Sequence, residues 1–582
     1  MADLEKASQT EQLERVSTEQ PRDEKPLANV ETLERVDLHN PYAWKGDESD
    51  GRINWNFRQW VAAAFLAMLY TGSQILLYFT GATLTYIADD IGSQAAIGWL
   101  PVANTLAIAS VCPFVGYLQD LFGKRYIAII GAGCLVIGCA VMGTAHSLGH
   151  ALVGQAFAGA GAGIGELTGL AGLAETVPVR SRGYSLAILT AFVLPFCPYV
   201  LYAQEYSSHA SWRWGPWISL IYNSITAVGL LLTYFPHAHV RAHGLSRSAV
   251  LKRIDFLGGF LSITGLVLFL IALQAGGYTH PWKSAYVLST LLIGLAMIFT
   301  WVIYEAKFAK YPMIPSELFK GQRVVALAFA VAFVAGMNFF SLLNFWPLTI
   351  STVWAPIPLD IGLRGISAGF GTALGAIFWN ALLSVFTGKV RWVLFLAAAM
   401  LTCFGGALSV MSPDNMVMTI AFGTLAAFGL GGVIVPAATV AMIAAPDALI
   451  TTCAALSLSV RAVGGAIGYS IYFNIFKSKL TARLPVLVYE YAALAGLKGT
   501  VLEMEAFVET YLLEGVAAAE KLPGVTPVVL EGALRGSEWA YALSLHCVWY
   551  TSIAFGVCAM ICAALIPNTK KFQTNRIAVE LS

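Results

Sequence analysis

From about residue 57 onward the chain breaks into apolar runs of about 20 residues, the length a helix needs to cross the hydrocarbon core of a bilayer. Fourteen such runs are legible, near 57–80, 96–118, 126–146, 149–172, 184–204, 215–235, 255–275, 284–304, 324–350, 364–386, 391–411, 417–440, 449–475 and 541–566. Of 582 residues 57% are apolar and only 12% charged, about half the charge of an ordinary soluble domain. The expected fold class is an all-α membrane protein whose first partner is the lipid bilayer. A net charge of +1 gives no hint of a nucleic-acid partner.

The positions of the basic residues orient the bundle. With the N-terminus inside, the cytosolic connections hold Lys124, Arg125, Arg180, Arg182, Arg241, Arg247, Lys252, Arg253, Lys307, Lys310, Lys320, Arg323, Lys389 and Arg391, against Arg213, Lys283 and Arg364 outside, fourteen to three. Positive charge is retained on the cytosolic side, so both termini are expected there. Residues 1–50 carry 13 acidic and 6 basic residues and no signal peptide, and read as a disordered tail. All nine cysteines lie in or beside apolar segments without metal-type spacing, so they read as small core residues, with no metal and no cofactor expected. His237, His239 and His243 lie in a basic cytosolic loop without an acid and read as solvated, not as a metal cluster.

Between the second and third runs lies GYLQDLFGKR, Gly116 to Arg125. Gly116 and Gly123 remove side chains where two helices meet, Asp120 offers a carboxylate to a cation or a helix N-terminus, and Lys124 and Arg125 mark the cytosolic side. This segment resembles the loop between the second and third spans of major facilitator superfamily transporters, a resemblance that implies a conformational latch for Asp120, Lys124 and Arg125. Fourteen spans resemble the drug:proton antiporter type, two six-helix bundles plus an extra helix pair. GQAFAGAGAGIGEL followed by GLAETVPVRSRG, WRW at Trp212 to Trp214, RIDFLGG, ALQAGG and PMIPSELF are similar to the fungal group of trichothecene efflux pumps and siderophore-iron transporters. The resemblance implies domains at 1–56 (cytosolic tail), 57–235 (N-terminal bundle), 236–304 (loop and extra helix pair), 305–475 (first part of the C-terminal bundle), 476–540 (extracellular loop), 541–566 (last span) and 567–582 (cytosolic tail).

Two departures from that pattern stand out. The fourth span carries Gln155 where the usual proton-coupled pattern has an arginine, and the fifth keeps only proline from a glycine-proline motif, at Cys197–Pro198 followed by Leu201 and Tyr202. Pro195 and Pro198 still break that helix and free backbone carbonyls beside a cavity.

Charge at membrane depth costs about 2.5–3.5 kcal/mol, so it is retained mainly where it meets a cavity or a partner. Glu166 lies eleven residues after Gln155 on nearly the same helix face. It reads either as a carboxyl that loads and releases a proton or as one hydrogen-bonded between packed helices. Glu175, near the cytosolic end, reads as a partner for the basic loop. Arg461, in SVRAVGGAIGYS, reads as a fixed positive charge that binds an anionic group or pairs with a carboxylate. Gln74, Tyr78, Asn344, Trp346 and Asn380 are candidates to line a substrate cavity, with packing the alternative reading for each. Asp255 reads as a helix N-cap. The glycine run Gly159 to Gly165 follows no strand and reads as helix packing, not a nucleotide site.

The expectation is a secondary transporter and not an enzyme, monomeric, in the plasma membrane with a vacuolar or vesicular membrane as alternative. It would export an amphipathic small-molecule metabolite or drug-like compound against protons by alternating access. Import of a ferric siderophore is the first alternative, and a non-transporting receptor or scaffold the more remote one.

Overall fold

A computed structural model describes residues 52–53, 55–92, 96–236, 254–319, 322–354, 357–497, 501–513 and 515–579. The acidic N-terminal tail, His237, His239 and His243, and the basic residues Arg241, Arg247, Lys252, Arg253 and Lys320 lie outside them. Among the described residues the chain is helical throughout, with no sheet. The helices are α1 Phe57–Ala82, α2 Leu84–Ile91, α3 Trp99–Phe122, α4 Lys124–Gly143, α5 Leu148–Glu175, α6 Arg182–Ala191, α7 Tyr199–His209, α8 Trp214–Thr233, α9 Phe256–Ala275, α10 Ala285–Lys307, α11 Val324–Thr349, α12 Pro358–Val385, α13 Val390–Ala407, α14 Met416–Ala444, α15 Ile450–Leu494, α16 Val501–Leu513, α17 Val516–Ala519 and α18 Pro527–Ala564.

Thirteen helical segments among the described residues are long and apolar enough to cross a membrane. The other expected span is α5, whose 28 residues reach about 42 Å but are diluted by glycine and carry Gln155 and Glu166. Its glycines have a packing reason. A Cβ on Gly159 would stand 2.4 Å from the Asn104 carbonyl oxygen, and one on Gly161 2.6 Å from the Leu135 nitrogen, so α3 and α4 lie against the bare backbone of α5. The helix starts are set by local chemistry: Ser147, Asp255, Ser284 and Thr526 each accept a backbone N–H in the first turn of α5, α9, α10 and α18.

The fifth span is broken where its prolines stand: α6 stops at Ala191, a short 3-10 turn covers Leu194–Phe196, and α7 restarts at Tyr199, immediately after Pro198. Two expectations need correction. The segment 476–540 is not a loop but largely helix. α15 runs on to Leu494, α18 starts at Pro527 instead of near 541, and with α16 and α17 they share a small core of Val488, Ala492, Phe507, Val508, Ala519, Val529 and Ala533. Arg535 ties this helical cap to Asp414 at the start of the α13–α14 connection's exit. Gly123 does not serve close packing: no atom lies within 4 Å of its would-be Cβ, and its φ of 84° makes it the left-handed turn that ends α3.

α1, α3–α5 and α8 pack as one half of the molecule and α11–α15 with α18 as the other, and α6 and α7, which continue the first half, lie along the seam against α12. The pair α9–α10 leans against α3 and α15 from outside, and α10 buries only 11% of its most apolar stretch where α14 buries 94%. Its exposed face, with Leu292, Phe299 and Val302, is suited to lipid. Within the second half α11 and α15 touch backbone to backbone: a Cβ on Gly336 would fall 1.8 Å from the Arg461 carbonyl oxygen, and one on Gly464 2.2 Å from that of Phe333. That contact fixes the depth and rotation of Arg461. Gly336→Ala is therefore expected to cost about 1–3 kcal/mol through overpacking. Gly81→Ala, which meets nothing, is expected to be neutral or to gain up to about 1 kcal/mol from helix propensity. Thermal unfolding midpoints in detergent would check the pair, and equal midpoints would refute the packing argument.

Candidate functional site

Glu166 on α5 and Arg461 on α15 come from opposite halves and meet, Arg461 Nη2 donating to Glu166 Oε1 at 2.6 Å. Their side chains are 1% and 8% exposed, so bulk water does not screen the pair. Removing one partner of such a pair strands the other charge, a loss of about 3–5 kcal/mol. Arg461 Nε has no hydrogen-bond acceptor among the described residues, and the guanidinium forms part of the wall of a central cavity.

That cavity encloses about 790 Å³ of space free of atoms, its open mouth included. Each wall has a local reason. On α1, Tyr70, Gln74 and Tyr78 recur every four residues and so share one face. The proline break between α6 and α7 places Thr190, Val193, Cys197 and Tyr199 on the lining, and Tyr199 sets its ring 5.1 Å from that of Tyr78. α11 adds Phe339, Leu342 and Leu343, and α12 and α14 add small and aliphatic residues around Thr372. Among the described residues Arg461, paired with Glu166, is the one charged residue of this lining. Such a wall can stack on and grip an apolar body and offer it a few hydroxyl and amide groups.

The other sequence candidates fall elsewhere. Gln155 is fully buried away from Glu166, donating to Thr80 Oγ1 at 2.7 Å and accepting from Asn104 at 3.2 Å, a polar link within the first half. Asn344 donates to Phe340 O of its own helix and lines a smaller crevice with Thr105 and Tyr469. Trp346 is buried with its ring against Gly423. Asn380 accepts from Thr439 Oγ1 at 2.8 Å below the cavity.

At the end of the molecule bearing Gly123 the halves are bonded together. Asp120 accepts from both the backbone N–H and the hydroxyl of Thr452 in the first turn of α15, so it meets a helix N-terminus. A Cβ on Gly116 would stand 2.4 Å from the Ala455 Cβ, which places its close approach against α15. Lys124 pairs with Glu175, which also accepts from Thr451 across the interface. Arg125 lies over the Phe235 ring at 3.6 Å. Sequence reasoning missed a second cluster here. Arg182, fully buried, donates to Ala174 O and Met442 O at 2.8 Å and stands 3.9 Å from Asp447, which Arg576 holds from the other side at 2.8 Å. An acid beside proline, in AAPDALI between two apolar runs, was the available signal.

A family model described as fungal trichothecene efflux pump matches residues 55–581. The trichothecene efflux pump of Fusarium sporotrichioides is 25% identical over 541 residues, covering 90% of this chain and 88% of that protein. A transporter of the major facilitator superfamily from Phoma sp., named L2, is 26% identical over 561 residues, covering 95% and 88%. Among solved structures, the proton:xylose symporter XylE of the same superfamily superposes with a TM-score of 0.51 at 12% identity, over 89% of this chain and 97% of that one, a likeness in fold alone.

The bonds of Asp120 set an order of stabilities. Hydrogen bonds to a charged group are worth about 1.5–3 kcal/mol each. Asp120→Ala loses at least two and Thr452→Val one, so the unfolding midpoint in detergent is expected to fall in the order wild type, Thr452→Val, Asp120→Ala. A Thr452→Val protein as stable as wild type would remove the hydroxyl bond from this account.

Proposed function

The chain belongs to the fungal trichothecene efflux pump family of the major facilitator superfamily, and on that premise we propose that it exports an amphipathic organic metabolite against a proton gradient. It is a multi-pass membrane transporter and not an enzyme. Efflux is supported by the names of its relatives, which include trichothecene efflux pumps, and no relative reported above carries a siderophore name.

The observation that carries the mechanism is the Glu166–Arg461 pair, which joins the two halves at the wall of the cavity. While Glu166 is ionised, the pair holds α5 to α15. A proton on Glu166 removes the charge that Arg461 was matched to, and the interface loses its strongest central bond. The halves then rock about the cavity and expose the solute to the other side. Tyr70, Gln74, Tyr78 and Tyr199 grip the solute, and the helix break at Pro195 and Pro198 is where the α6–α7 wall adjusts. Gln155 acts at a distance, as a spacer that holds α1, α3 and α5 in register. Gly116, Asp120, Gly123, Lys124 and Arg125 latch the cytosolic end, with both termini on that side, in a monomer at the plasma membrane. The bundles are 57–235 and 305–475 with 541–566, and the 236–304 pair stands beside them.

Proteoliposomes with an imposed pH gradient and a labelled amphipathic substrate test this. Glu166→Gln is expected to lose gradient-driven net flux by at least about tenfold while retaining solute exchange, because it mimics the protonated state permanently. Arg461→Ala is expected to lose both. Gradient-driven flux at wild-type rates in both variants would sink the assignment.

A further inference from the structure

The stretch after α18, residues 567–579, crosses the face on which Asp120, Lys124 and Glu175 lie, and it is bonded to both halves of the molecule. To the first half it makes four main-chain hydrogen bonds: Val179 N donates to Arg576 O at 3.0 Å, Arg180 N to Thr574 O at 3.1 Å, and Ala578 N and Val579 N both donate to Glu175 O at 3.1 and 3.0 Å. To the second half it is held by side chains. Arg576 grips both oxygens of Asp447, Nε at 2.8 Å from Oδ2 and Nη2 donating to Oδ1 at 2.9 Å, and the Gln573 amide donates to Leu383 O at 3.2 Å and accepts from Gly388 N. The tail backbone also lies against the Gly388 turn, where a Cβ would stand 3.0 Å from the Lys570 Cβ.

We infer that residues 568–579 are a clasp built into the transporter, docked across the seam between its halves, which must let go of one half before the cytosolic side can open. The inference rests on the alternating-access reading above. Its logic is geometric. The Glu175–Arg180 corner belongs to the first half, and Leu383, Gly388 and Asp447 belong to the second. A rigid-body separation of the halves at this end carries the two docking surfaces apart, and one short peptide cannot stay bonded to both. Main-chain bonds of this kind form with almost any side chain in register, so the specificity of docking lies in Arg576 and Gln573, which fix the register of the peptide against Asp447 and the Gly388 turn. The clasp therefore biases the resting protein toward the state closed to the cytosol, and a cytosolic factor that engages the tail would release it.

The test uses full-length protein in nanodiscs with spin labels replacing Tyr126 and Trp392, exposed positions on either side of the seam. Distance distributions are compared for wild type, Gln573→Ala with Arg576→Ala, and Ala578→Pro, which removes one donor to Glu175 O. The expected result is a rise on the order of fivefold in the long-distance, cytosol-open component in both variants. A protein with a protease site inserted after Ile566, cut once folded and cleared of the released peptide, is expected to show the same rise, and it covers the case in which a variant fails to fold. Unchanged distributions after the peptide is removed would overturn the clasp. Wild-type flux driven by a pH gradient is measured in parallel: a distance shift without flux upholds the clasp and overturns the transport reading, and flux without a shift does the reverse.

Discussion

The two halves of this molecule meet through close helix packing and, at a few places, through buried charge. In lipid there is no hydrophobic force to press apolar helix faces together, so packing and polar bonds have to supply the association. Bare backbone meets backbone within each half, as at Gly336 with Arg461 and Gly159 with Asn104, and also across the seam, at Gly369 with Cys197 and Gly183 with Asn380. Polar contacts between the halves include Glu166 with Arg461, Asp120 with Thr452, Glu175 with Thr451, and Arg182 with Met442 O and Asp447. Contacts of the first kind depend on shape. Those of the second kind depend on the protonation and partners of a few groups, so they can be made and broken.

How much of this was legible in the sequence depends on which physical variable the sequence carries. Run length fixed the number and approximate ends of the spans, and the rarity of charge at depth pointed to Glu166 and Arg461. Helical period carries rotation but not depth. Gln155 and Glu166 do lie on one face, yet eleven residues separate them by about 16 Å along the axis, and Gln155 therefore meets Thr80 and Asn104 in place of the ion pair. Asn344 and Trp346 failed for the complementary reason: on α11 the lining positions are Phe339, Leu342 and Leu343, and nothing in the period says which stripe of an apolar helix faces the cavity. The segment 476–540 was misread because its polarity resembles a loop, whereas its apolar residues close a small core that only the folded arrangement reveals. Gly123 shows a subtler limit, since close packing and positive φ both call for glycine and the letter alone does not separate them.

The cluster that sequence reasoning missed also shows a repeat with a difference. In the first half α5 ends at Glu175, Pro178 follows, a short 3-10 turn intervenes and α6 begins; in the second half α14 ends at Ala444, Pro446 follows, a short 3-10 turn intervenes and α15 begins. The hairpins beside them match as well, with Gly123 at φ 84° before Lys124 and Arg125, and Gly388 at φ 79° before Lys389 and Arg391. In the first half the acid near the proline, Glu175, receives its cation from the neighbouring hairpin, Lys124. In the second half the acid, Asp447, receives Arg576 from the tail and Arg182 from the opposite half. One of the two cations at the second corner thus arrives from chain beyond the last span. The charge of Glu175 is matched by a lysine of its own half, whereas that of Asp447 is matched by the opposite half and the tail, which places the tail where a change in its position alters the charge balance of the interface.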